Sequence, residues 1–147
     1  MIELKTNLWD CITDKYTIPV ITTNGSLKRN GEAIMGRGVA YEAAYRYPNL
    51  PEMLGRKILE AGNKVHMFNL GIGKMIITFP VKYQYFMRAD LDLISRSVDE
   101  LRSLAEIDST FKFYLPRPGC GNGKRDWINE IKPIVERLPD NVIIVSL

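Results

Sequence analysis

Six short runs of apolar and β-branched residues punctuate the chain: IELK (2–5), YTIPVITT (16–23), KVHMFNL (64–70), MIITFPV (75–81), FKFYL (111–115) and NVIIVS (141–146). Each is bounded by glycine, proline, asparagine or aspartate, so each is a candidate β-strand. Between them the pattern changes to a helical period, in GVAYEAAYRY (38–47), LPEMLGRKILEA (50–61), the segment from Asp90 to Ile107, and the stretch from Asp126 to Leu138. In the third of these, Leu91, Ile94, Val98, Leu101 and Ala105 recur at alternating steps of three and four, which lays one apolar stripe along a helix. Asp126 is placed to N-cap the last helix, and Pro133 inside it is expected to bend or interrupt its first turns. Strands alternating with helices predict a three-layer α/β/α domain around a mixed, mainly parallel central sheet. No repeat, linker or low-complexity tract divides the chain, so residues 1–147 are read as a single domain.

Composition agrees with that reading and narrows the chemistry. The 147 residues are 46% hydrophobic and 25% charged, the balance of an ordinary globular domain with a real core. Twenty basic residues against 17 acidic give a net charge of +3, an excess that favours an anionic ligand but does not announce a surface that coats nucleic acid, so the electrostatics do not decide function. Two cysteines, Cys11 and Cys120, and no charged segment leading into an apolar run at the start argue against a disulfide framework and secretion. A cytoplasmic location is therefore expected. No apolar stretch approaches the roughly 20 residues of a membrane span. With His66 the only histidine, a His-rich zinc site and a Ser-His-Asp triad are both disfavoured, and no cofactor or metal is called for.

In such a sheet, ligands bind outside the carboxyl ends of the strands, which directs attention to three loops. The first, NGSLKRNGEAIMGRG (24–38), begins at Asn24 and places Gly36 and Gly38 at the start of a helix. Bare backbone at a helix N-terminus suits a phosphate, although glycine before a helix also serves plain turn chemistry. The second, LPRPGCGNGKRDW (115–127), has Gly119, Gly121 and Gly123 between a strand and a helix. A turn needs one such glycine, whereas three can offer several N–H groups to a diphosphate. Its spacing is neither that of a P-loop nor that of a dinucleotide GxGxxG. Cys120, with no histidine to serve it, reads as a small filler rather than a nucleophile, and Lys124 and Arg125 read as rim residues. In the third, FPVKYQYFMRAD (79–90), Lys82 follows a strand beside Tyr83, Tyr85 and Phe86. Alone, Lys82 is either an exposed loop lysine or an electrostatic or covalent catalyst.

Taken together these loops resemble a macro domain, the α/β module that binds ADP-ribose. TTN (22–24) resembles the family's strand ending in a ribose-contacting asparagine, and MGRGVA (35–40) its first phosphate loop. FPVK (79–82) looks like the FPTK of one branch, and GCGNGKRDW (119–127) resembles that branch's second phosphate loop, GCGnGGLdW. The resemblance covers essentially the whole chain. That branch contains hydrolases that remove ADP-ribose from DNA or from protein carboxylates, and ADP-ribose 1''-phosphate phosphatases. The resemblance implies that Lys82 and Asn24 face the reacting sugar, Lys82 matching the lysine to which DNA-processing members assign catalysis. It implies ligand contacts from Asn7 and Leu8 after the first strand, and from Gly36, Arg37, Gly38 and Val39 in the first loop. In the second loop it implies contacts from Pro118, Gly119, Cys120, Gly121, Asn122 and Gly123.

The chain also departs from the pattern. Asn7 stands where many members carry the aspartate that reads the adenine amino group, with Asp10 three residues on. Val81 replaces the threonine before the lysine, Lys124 and Arg125 replace a glycine-leucine pair, and the segment 25–34 is longer than in the best-known members. The expected function is binding of ADP-ribose and metal-free hydrolysis at the 1'' position of a derivative: ADP-ribosylated DNA, ADP-ribosylated protein or the 1''-phosphate. A non-catalytic ADP-ribose reader shares every phosphate-loop residue, and a sheet domain for another nucleotide is the third reading.

Overall fold

The computed structural model describes residues 1–147, and all six strands stand where the apolar runs predict them. They are β1 (Ile2–Lys5), β2 (Thr17–Asn24), β3 (His66–Asn69), β4 (Met75–Lys82), β5 (Lys112–Pro116) and β6 (Val142–Ser146). They form one sheet in the order β1-β6-β5-β2-β4-β3. Every neighbouring pair is parallel except β3 with β4, which is antiparallel. The carboxyl ends of β1, β6, β5, β2 and β4 therefore share one edge.

Alternation along the strands divides the interior in two. Ile18, Val20, Phe79 and Leu115 pack with α3 (Leu91–Ala105) and α4 (Lys132–Val135), whereas Ile21, Ile76 and Ile143 pack with α1 (Gly38–Arg46) and α2 (Leu50–Ala61). Helices thus cover both faces, as a mainly parallel sheet requires. In α3 the apolar stripe is buried at Ile94, Val98, Leu101 and Ala105, and Asp90 caps it by accepting from Leu93 N at 2.9 Å. No helix is long and apolar enough to cross a membrane.

Two segments differ from the sequence expectation. The region from Asp126 opens as a π-helical turn, Trp127–Ile131, and continues as helix only through Val135 rather than Leu138. Asp126 is the cap, accepting from Asn129 N at 2.7 Å. Pro133 has no N–H for the Asn129 carbonyl and its ring crowds that carbonyl, so the first turn widens and both Glu130 N and Ile131 N bond to Asp126 O. The second difference is a 3₁₀ turn at Leu8–Cys11, capped by Asn7, which the strand-and-helix pattern does not anticipate.

Candidate functional site

The site is built on the shared carboxyl edge, beginning with the end of β2. Asn24 commits both ends of its amide to the segment that follows: Oδ1 accepts from Ser26 N at 2.9 Å, and Nδ2 donates to Ile34 O at 3.0 Å. Residues 25–34 consequently form a small hairpin, bridged between Leu27 and Ala33 and closed by Lys28 N to Glu32 O at 2.8 Å. Ser26, which is buried, ties the hairpin to the turn after β4, donating to Gln84 Oε1 at 2.7 Å and accepting from Tyr85 N at 2.9 Å. One N–H and one lone pair of Asn24 remain for a ligand.

The chain then reaches Gly36, Arg37 and Gly38, all exposed. Arg37 is the N-cap residue of α1, yet its side chain caps nothing. The first helical bond runs from Tyr41 N to Arg37 O at 3.2 Å, so the N–H groups of Gly38, Val39 and Ala40 have no acceptor within the chain. Free donors at the positive end of a helix dipole suit an anion, and they form the first of two facing jaws.

The second jaw follows β5. Pro118 and Gly119 are buried, Gly121 and Asn122 exposed. Its three glycines do different work. A side chain at Gly119, where φ is +76°, would stand 2.9 Å from the Ala89 methyl, and one at Gly123 would stand 2.6 Å from Gly119 O, so both serve close packing against the start of α3. At Gly121 nothing lies within 4 Å, and the N–H groups of Gly121 and Asn122 make no hydrogen bond within the chain. The bare backbone open to a ligand is therefore centred on Gly121. The jaws face each other closely: a β-carbon on Gly38 would stand 3.5 Å from Asn122 Nδ2. Behind the loop, Arg125 donates to Ala89 O at 2.7 Å and pairs with Glu130 at 2.9 Å, fixing its exit.

Cys120 lies in this loop, half-buried, with Sγ 3.6 Å from Pro118 O. Burial pushes its thiol up to about 11, which leaves it protonated at neutral pH. Cys120→Ser is expected to bind ligand like the parent protein, and alkylation of Cys120 by iodoacetamide at pH 8 to run at least about tenfold slower than that of a free cysteine. Fast alkylation of Cys120 in the folded protein would contradict this.

Lys82 closes the floor between the jaws. A bulge in β4 leaves Val81 without a partner on β2 and sets Lys82 beside Asn24. Lys82 is only 9% exposed, and its ammonium donates to Asn122 O and Tyr85 O, both at 3.3 Å. Burial, and then the nearby cations Arg37 and Lys124, hold its pKa below the ordinary lysine value. Cations from three loops thus lie near one another. Lys124 is also the one non-glycine residue with positive φ, +60°, in the position where the resembled motif has glycine. A left-handed lysine costs about 1 kcal/mol, so Lys124→Gly is expected to stabilise the fold by about that much in denaturant unfolding. Equal or lower stability would mean that the lysine side chain makes contacts worth more than the strain.

Asn7 and Leu8 lie across the clamp from Lys82, after β1, with Asn7 exposed and Leu8 buried. Sequence reasoning did not find Ser26, Ala89 or Gln84. The Asn-Gly-Ser run was a usable turn signal for Ser26, whereas nothing local marks Ala89 or Gln84. A cleft of about 570 Å³ lies elsewhere, at the amino ends of β2 and β5, lined by Cys11, Asp14, Tyr16, Thr17, Lys112 and Tyr114 among others. Burial raises the pKa of both Cys11 and Tyr114 there, and it offers none of the free N–H groups of the clamp. No cluster of three or more His, Cys, Asp or Glu side chains is positioned to hold a metal ion.

No protein-family model matches this sequence, and no curated protein matches it. Solved structures do. The macrodomain of Mycobacterium tuberculosis DarG superposes with a TM-score of 0.78 at 23% identity, over 100% of this chain and 98% of that one. The macrodomain of Thermus aquaticus DarG gives 0.74 at 20% identity, over 99% and 97%. Thermosipho africanus DarTG, solved in complex with ADP-ribose, gives 0.75 at 16% identity, over 94% of this chain and 40% of that one.

Proposed function

On a chain whose fold is that of a macrodomain, we propose that the two jaws bind the diphosphate of ADP-ribose and that Lys82 promotes hydrolysis at the 1'' carbon of an ADP-ribose derivative. The observation that carries this reading is the placement of the Lys82 ammonium, 3.3 Å from Asn122 O, where two arrays of unbonded N–H groups meet. The ADP-ribose held by the Thermosipho protein of similar fold supports the choice of ligand. Clamping the diphosphate holds the distal ribose still above β2 and β4, which removes much of the entropic barrier to attack at its anomeric carbon. Lys82 then has two routes. As a cation it stabilises charge developing on the departing group, whether a carboxylate, a phosphate or a base. As a neutral amine, which its lowered pKa favours relative to a free lysine, it attacks C1'' and displaces the linked group, which leaves with the bonding electrons and takes up the amine's proton; the resulting glycosylamine opens to a Schiff base, and water adds to that carbon to release ADP-ribose and free the lysine.

One observation favours a second reading, a non-catalytic ADP-ribose reader: the Lys82 ammonium already bonds to two main-chain carbonyls and so holds the loops together. A substrate panel separates the two. Incubation with ADP-ribosylated single-stranded DNA, ADP-ribosylated protein and ADP-ribose 1''-phosphate is expected to release ADP-ribose from at least one. Tight binding of ADP-ribose with no turnover on any of the three would establish the reader.

A further inference from the structure

Lys82 is held from behind as well as at its tip. Its ammonium reaches Tyr85 O and Asn122 O, and its own carbonyl accepts two further hydrogen bonds, from Gly25 N and from Asn63 Nδ2, both at 3.1 Å. The bond from Gly25 continues the pairing of β2 with β4 past the bulge. The bond from Asn63 is of another kind: a side chain from the loop between α2 and β3 fills the second lone pair of a main-chain oxygen. Because that partner is a carbonyl, the amide turns its NH₂ end to it.

The surroundings make room for this amide and fix it. Gly25 has no left-handed φ that would call for glycine; a β-carbon there would stand 2.8 Å from Asn63 Nδ2 and equally close to Tyr83 O, so the residue is bare for lack of space. The loop that carries Asn63 is pinned to α3 at two points. Arg96 donates to Asn63 O, and Val65 N donates to Glu100 Oε1 at 3.2 Å. Two donors on one carbonyl fix the plane of the Lys82–Tyr83 peptide, and that plane sets the course of the turn after β4. Tyr85 O, one of the two acceptors of the ammonium, lies in that turn. Asn63 therefore bears on the Lys82 side chain at the residue that carries it and at a carbonyl that receives it, while none of its hydrogen bonds reaches either jaw.

Taking Lys82 to act at the reacting sugar as proposed above, we infer that Asn63 is a positioning residue for that reaction: its amide N–H holds the end of β4 so that the Lys82 ammonium stands between the jaws. The donor matters and not the outline of the side chain, since an aspartate of the same shape would set an oxygen against the Lys82 carbonyl.

Asn63→Ala and Asn63→Asp, compared with the parent protein, test this in three readouts. Turnover of the substrate cleaved best in the panel is expected to fall about tenfold or more, because a small misplacement of a catalytic group is costly, and to fall at least as far in Asn63→Asp as in Asn63→Ala. Affinity for ADP-ribose, by calorimetry, is expected to change by less than about twofold. The third readout needs no turnover: labelling of Lys82 by an amine reagent, followed by peptide mass spectrometry against the exposed Lys57. The rate for the neutral amine, taken from the pH profile of labelling, is expected to rise about fivefold in both variants, the equivalent of one lost hydrogen bond. Parent-like turnover and labelling in Asn63→Asp would overturn the donor role, and an affinity loss as large as the turnover loss would make Asn63 a support of the clamp instead. Unchanged labelling in both variants would overturn the assignment even if turnover fell. A parent protein that cleaves none of the panel would overturn the hydrolase reading, while faster labelling in both variants would still establish that Asn63 places Lys82.

Discussion

Replacing Lys82 by alanine is expected to lower turnover of the best substrate by about 10²–10³-fold, the loss typical of removing one group that stabilises developing charge. The same substitution releases two hydrogen bonds, to Tyr85 O and Asn122 O, so binding must be measured alongside turnover. Those carbonyls lie on part-exposed loops where water replaces the lysine, and the affinity for ADP-ribose is expected to fall by no more than about fivefold. Lys82→Met, which keeps the aliphatic stem against the buried surroundings, should behave like the alanine variant in turnover. Two outcomes would contradict the catalytic role: full activity in either variant, or a fall in affinity as large as the fall in turnover. The second outcome would make Lys82 a latch for the glycine loop. The reaction should also respond to Arg37 and Lys124, since both hold the Lys82 pKa down after the larger effect of burial. Because that pKa is lowered, the burden of the buried cation is fully present below it, and stability is expected to rise with pH between it and the ordinary lysine value.

Gly55→Ala is expected to destabilise the protein by about 2 kcal/mol, a fall of roughly 4–8 °C in Tm, although alanine is by itself the better helix former by about 1 kcal/mol. The reason is the close approach of α2 to the hairpin. A β-carbon on Gly55 would stand 1.9 Å from Gly31 O and 3.0 Å from Ala33 N, main-chain atoms with no flexible end to yield. The hairpin is held on α2 also by Ala33 N to Pro51 O at 2.9 Å, and it is the same hairpin that Asn24 and Ser26 join to the end of β2 and the turn after Lys82. Lifting it therefore disturbs the reacting side of the site, and turnover should fall with stability. Thermal unfolding at or above the parent Tm would contradict the packing seen here. The extra length of residues 25–34 thus buttresses the Lys82 side of the site.

Particular residues show why the sequence disclosed some of this and concealed the rest. The strands were legible because each is a short apolar run with polar or glycine boundaries, and the α3 stripe because its period survives along the whole helix. Pro133 announced its own interruption, since the missing N–H is a property of the residue, but the π-helical form of that turn depends on how Asp126 shares its carbonyl. The glycines of the second jaw were visible as a cluster, whereas the division of labour among them was not. Gly119 and Gly123 are required by Ala89, thirty or more residues earlier in the chain, and only the folded chain brings that methyl to them. Asn24 likewise stood out at a strand end, but its hold on Ile34 is a contact across a hairpin that the polar run KRNGE gave no period to reveal. The 3₁₀ turn at Leu8–Cys11 is too short for any periodic signal, and its cap by Asn7 is visible only in the folded chain.

The central claim is that bare backbone at Gly121, facing the start of α1, holds a diphosphate. Titration of ADP-ribose into the parent protein and into Gly121→Val, by calorimetry under one buffer, tests it most directly. Because nothing lies within 4 Å of a β-carbon at Gly121, valine leaves the fold intact and fills only the space the ligand needs. One saturable site in the parent, weaker binding of ADP alone, and a loss of affinity of about tenfold or more in a folded Gly121→Val variant are the expected results. No heat with ADP-ribose in the parent, or equal affinity in the two proteins, would contradict the clamp.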